Sequence, residues 1–166
     1  MRLPCSLILL ISFVPLAGRA IELDYDEAVH LDAEELAEHG IAEAYNKLLP
    51  ELKHHLRAPI GVREHRNSAP PSYEVVAGQS HYKIYPSPFG GDEYESWGNA
   101  TYALFAIVNA QLQHNSVRFY AINNGNDLFG IFLTPDEAKS ARSSLPRRQD
   151  WPYLPTDAPP WFGQEH

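Results

Sequence analysis

The stretch from Ser96 to about Gln113 constrains this fold more than any other part of the chain. Trp97, Ala100, Leu104, Phe105, Ile107, Val108 and Leu112 make a helix that is apolar round most of its girth. Such a helix has no face to turn to water, so it is predicted to be central and most buried. Two hairpin patterns supply the layer to cover it. Tyr73 to Ala77 and His81 to Tyr85 are rich in aromatic and β-branched residues and flank Gly78-Gln79-Ser80, and Gly61 to Arg66 offers a further strand. Val117 to Ile122 and Leu128 to Leu133 bracket Asn123-Asn124-Gly125-Asn126, where Asn-Gly favours a hairpin because both residues tolerate positive φ. Thr134-Pro135-Asp136-Glu137 then opens a short helix to about Ser144, with an N-cap Thr, Pro at the first helical position and Glu at the third.

Before the hairpins, residues 21–31 are acidic and alternate loosely. Asp32 and Glu35 have the spacing of a capping box, and Leu36, Ile41, Ala44, Tyr45, Leu48, Leu52 and Leu56 recur at amphipathic intervals, predicting a helix over 33–57. Pro50 inside it removes a hydrogen bond at a cost of about 3 kcal/mol, so a kink or restart is expected near Leu49. Pro86 to Glu93 reads as a loop from its Pro and Gly content. Residues 145–166 hold five prolines with Trp151, Tyr153, Trp161 and Phe162. Leaving large aromatics in water forfeits roughly 1.5–3 kcal/mol each, which favours a strap packed on the domain over a free arm. The expected architecture is α+β: an antiparallel sheet built from two hairpins packed against a central buried helix, with an N-terminal amphipathic helix and a Pro-rich C-terminal strap.

Residues 1–20 have the form of a secretory signal peptide: Arg2, an apolar run from Leu7 to Leu16, and small residues at Gly18 and Ala20 for a cut after Ala20. A run of about ten residues is too short to span roughly 30 Å of hydrocarbon, so membrane insertion is not expected. Domain 21–144 and tail 145–166 would then form the exported protein. Its Lys plus Arg count falls from 13 to 11, without Arg2 and Arg19, against 21 Asp plus Glu, a formal charge of −10. Nucleic acid is disfavoured as a ligand, because its binding rests on Lys and Arg; a basic protein partner suits the charge. The single cysteine, Cys5, leaves with the signal, so packing alone holds the domain. A Cys-free exported domain fits a bacterial periplasm, with full secretion as the alternative.

No reaction chemistry stands out. The eight histidines lack metal-ligand spacing, there is no His-Glu-x-x-His, and no cofactor or metal is expected. Neither a Gly-x-Ser-x-Gly elbow nor a thiol nucleophile is available, so the chain is read as a non-enzyme. The Asn123 to Asp127 run lacks the register of a calcium loop, and turn chemistry accounts for each residue. Asn99-Ala100-Thr101 matches a glycosylation acceptor inside the predicted buried helix. The expected interaction surface is the acidic, aromatic loop from Phe89 to Trp97, comprising Asp92, Glu93, Tyr94, Glu95 and Trp97, together with Asn124, Asn126, Asp127 and Trp151.

In size, leader, acidity and hairpin-rich α+β pattern, residues 21–166 resemble the small exported inhibitors and immunity proteins with which bacteria protect their envelope from secreted toxins. That resemblance implies occlusion: acidic loops and aromatic anchors cover a basic toxin or enzyme, and electrostatic steering speeds capture. Two alternatives are a small envelope hydrolase using His81 with acids of the 92–95 loop, and a structural envelope protein that self-associates.

Overall fold

The computed structural model describes residues 23–85 and 93–157. The leader reading, Asp92 with most of its loop, and the tail aromatics Trp161 and Phe162 lie outside these residues. The elements run β1 (Val29–His30), α1 (Ala33–Glu38), α2 (Ile41–His55), β2 (Val62–Ser68), β3 (Pro71–Ala77), β4 (Ser80–Tyr85), α3 (Glu93–Gln111), β5 (Arg118–Ile122), β6 (Phe129–Leu133) and α4 (Pro135–Ser144). The class is α+β. The hairpins enter two three-stranded antiparallel sheets, ordered β2-β3-β4 and β1-β6-β5, where one shared sheet was expected.

The central helix is α3. Ala100, Ala103, Leu104, Phe105, Ile107 and Val108 are buried, and the helix packs on β4, β5, α1 and α2. It touches both sheets, which explains why it needs apolar residues on so much of its circumference. β5 then shows why its own sheet is covered twice. Phe119 and Ala121 join the main core, where the Phe119 ring stacks on Phe105 at 4.7 Å, while Tyr120 and Ile122 join Ile131, Leu133, Ala138 and Ala141 in a second core under α4. Gly130 on β6 makes room for that stack, because a Cβ there would lie 2.1 Å from Phe119 Cζ.

Residues 33–57 form two helices, broken at His39-Gly40 and continuous through Pro50. Gly40 has φ 132°, a value that ends a helix and that L side chains rarely adopt. Pro50 and Asn46, whose carbonyl Pro50 cannot serve, are both exposed, so water can take the place of the lost bond. The elbow is fixed from β2 and β3. Glu64 Oε1 accepts from the Ala42 N–H at 2.9 Å and from the Tyr73 hydroxyl, which itself accepts from the Ile41 N–H at 2.9 Å. Arg66 lies over the Tyr73 ring at 3.8 Å and donates to the carbonyl of Glu38, the last residue of α1, at 2.6 Å.

α4 starts with a complete capping box between Thr134 and Glu137, as its sequence predicts. Between β5 and β6 the positive φ values fall on Asn123 and Gly125, with Asn124 extended. After α4 the tail is a strap as far as it is described. Trp151 Nε1 donates to Leu145 O at 3.0 Å, and Tyr153 exchanges two backbone hydrogen bonds with Ala121, at 2.8 and 2.9 Å, covering the outer edge of β5.

Candidate functional site

An acidic surface assembles where α1, the first turn of α3 and the Gly125–Asp127 turn meet. Asp32 caps α1 by accepting from the Glu35 N–H at 3.0 Å. With Ala33, Leu36 and Ala37 buried beneath the helix, Glu34 and Glu38, four residues apart, project from one side. α3 begins at Glu93, three residues before the predicted Ser96, so Glu93, Tyr94 and Glu95 are helical instead of lying in a loop, and Trp97 is helical as its place in the apolar pattern predicts. Carboxylates in a first turn meet the positive end of the helix dipole, which favours this earlier start.

Packing of α1 on α3 brings carboxylate oxygens of Glu34, Glu38 and Glu93 within 4.8 Å of one another. Asn126 Nδ2 donates to Glu34 Oε2 at 3.1 Å and ties the β5–β6 turn to the same surface. Among the described residues none of these three glutamates has a basic partner; the ion pairs described are Lys47–Glu43, His54–Glu51 and Arg147–Asp150. Beside the acids stands an aromatic pair. Tyr94 is 63% exposed and meets Trp97 edge-on with ring centroids 5.2 Å apart, while Trp97 is half-buried against the core. An exposed ring propped by an anchored one, rimmed by carboxylates, can cover an apolar spot and meet Lys or Arg around it. The three oxygens also suit a hard cation in kind, yet two of the three glutamates are exposed and exposed acidic groups commonly stand together without an ion, so no ion is assigned.

The remaining candidates distribute as follows. Asp127 is exposed in the turn beside Asn126, and Asn124 precedes that turn at intermediate exposure. Trp151, expected on the interaction surface, is partly buried in the strap, where its indole bonds Leu145 and Arg148 lies 5.7 Å from its ring. Asp92 lies outside the described residues. His81 is exposed near the start of β4. Asn99 bonds Ile84 O and Tyr102 meets Tyr82, so α3 runs antiparallel to β4. That alignment leaves His81 on the order of 12 Å along α3 from Glu95, and the acids of the 93–95 turn do not gather round it.

Glu34 and Glu38 escaped sequence reasoning. A signal existed, since two like charges four apart on a short helix disfavour it and call for another reason to be there. The Asn99-Ala100-Thr101 triplet is structural: Asn99 Nδ2 donates to Ile84 O at 3.0 Å and Thr101 is fully buried. No helix of the described residues is long and apolar enough to cross a membrane. The chain matches no family model, no curated protein and no solved structure.

Proposed function

We propose that this chain is an exported protein-binding domain of inhibitor or immunity type, which occludes a basic secreted toxin or enzyme from the periplasm. The observation that carries this reading is the convergence of Glu34, Glu38 and Glu93 beside the exposed Tyr94–Trp97 pair. Three unneutralised carboxylates repel one another, at about 1 kcal/mol or less per pair in a wet surface environment. A cationic partner relieves that repulsion on docking, and the surrounding negative potential draws it in before contact. The aromatic pair supplies the desolvated anchor that charge alone does not. The hydrolase alternative depends on His81 meeting the 92–95 acids, and the part of that group described here does not meet.

The test is affinity capture with tagged protein from the producing cell's envelope and secreted fractions, followed by mass spectrometry and titration of any enzyme recovered. One basic secreted enzyme, retained in near-equal amount and losing activity at one equivalent, is the expected result. Recovery of no basic enzyme, or only of the chain itself, would overturn the reading; the latter would favour the self-associating envelope protein.

A further inference from the structure

On the other side of α1 lies a cleft of about 300 Å³, bounded by β1, α1 and α2 and lined by residues that include His30, Asp32, Glu35, Ala44, Glu43 and Lys47. One wall is a strand edge that no described strand pairs. β1 pairs with β6 in the register Val29↔Gly130 and His30↔Phe129, and the Leu31 N–H donates to Leu128 O at 2.8 Å. In an antiparallel ladder, directly opposed residues alternate between hydrogen-bonded and non-hydrogen-bonded pairs. Leu31 and Val29 therefore turn their backbone groups to β6, and His30, which lines the cleft, turns its N–H and C=O to the other edge of β1. Asp32, with φ −137° and ψ 121°, continues the extended backbone and directs its N–H to the same side.

Acids outnumber lysine in this lining: Asp32, Glu35 and Glu43 stand against Lys47, with His30 and His39 beside them. Lys47 is held by Glu43 at 2.8 Å and also feels the charge of Glu35, so the lining keeps an acidic excess, with Asp32 in no ion pair among the described residues. The Asp32 carboxylate accepts from the Glu35 N–H through Oδ1, a bond that does not use Oδ2.

We infer that this cleft binds a short, extended, basic segment of a partner protein, which pairs its backbone with His30 and Asp32 and places one Lys or Arg against Asp32 and Glu35. A volume near 300 Å³ is at the small end of ligand sites and admits one or two guest residues. Backbone pairing fixes the direction of the guest, and the two carboxylates select the cation; this is strand addition with a charge-selective pocket. The cleft stands on geometry separate from the Glu34, Glu38 and Glu93 surface, so its test stands or falls apart from the capture reading.

The test is titration of the ¹⁵N-labelled protein with the capped tripeptide Ac-Val-Arg-Val-NH₂ at low salt. Progressive shifts of the His30, Asp32 and Glu35 amides are expected. The dissociation constant should rise at least fivefold in D32N/E35Q and at least fivefold when Arg is replaced by Gln in the peptide. Asn is as good an N-cap as Asp, so D32N changes charge while leaving α1 capped. Should the double variant nevertheless fail to fold, the Arg-to-Gln peptide comparison on the unaltered protein decides. Ala44→Leu, which fills the cleft, should abolish the shifts, while Glu34, Glu38 and Glu93 changed together to Gln should leave them intact. No shift at those amides, equal binding of the Gln peptide, or equal binding of capped arginine lacking the flanking residues would each overturn the inference.

Discussion

Two sets of charged side chains flank the α1–α2 elbow, and they are used in opposite ways. On the β2 side, Glu64 faces the N–H groups opening α2 and Arg66 faces a carbonyl closing α1, so each charge meets a helix end of opposite polarity. On the α3 side, Glu34, Glu38 and Glu93 meet one another. A hydrogen bond to a charged group contributes roughly 1.5–3 kcal/mol, whereas close like charges cost stability. The first set accounts for the elbow; the second holds carboxylates close together with no basic partner among the described residues, and the proposed partner-binding role rests on that contrast.

The contrast can be broken by substitution. Glu64→Ala should have the largest effect, lowering stability by about 3 kcal/mol in chemical denaturation, because it strips an acceptor from the Ala42 N–H and the Tyr73 hydroxyl together. A loss as small as that of a surface glutamate would mean that the elbow is held by packing alone. Gly40→Ala should cost about 2 kcal/mol, from a residue forced to φ 132° and a Cβ placed 2.8 Å from Glu64 Oε1.

The same set should show itself at high pH. Burial and the hydrogen bond to Glu64 raise the Tyr73 hydroxyl above its ordinary value of 10.0, and burial raises Tyr153 likewise. The folded protein thus keeps protons that the unfolded chain releases above pH 10, so stability present below pH 10 must fall as pH rises further. The slope should approach about 1.4 kcal/mol per pH unit for each tyrosine, and Tyr73→Phe should flatten it by one proton.

Changing Glu34, Glu38 and Glu93 together to Gln should act in the opposite direction and most weakly. A gain of up to about 1 kcal/mol at low salt, vanishing at high salt, is expected because repulsion is removed. Under the proposed function, capture of a basic partner should slow at the same time. A loss of stability in this variant would place the three glutamates in the scaffold and end the contrast.

Much of this was legible locally. The Thr134 capping box, the hairpin around Gly78 and the apolar girth of α3 each declare themselves within a few residues. The break at Gly40 did not, since a glycine amid an amphipathic pattern looks alike whether it is tolerated or turned to positive φ; Pro50, on the solvent side, attracted the prediction instead. Separation of the hairpins into two sheets and the Glu64 bond to Ala42, 22 residues away in sequence, depend on long-range packing that has no local signature. At the site, Glu93, Tyr94 and Asn126 were visible as chemistry; their meeting with α1 was not, because it depends on the α1–α3 packing.

The Tyr153 bridge also bears on timing. The edge of β5 and the second core beneath α4 precede the strap in the chain, so they are made first and closed last. A chain threaded through a membrane N-terminus first would therefore have most of its length across before its own seal arrived. In such a chain the β5–β6 hairpin would have an uncovered margin until then, which would delay completion of the fold on the side of departure and leave the last step for the side of arrival.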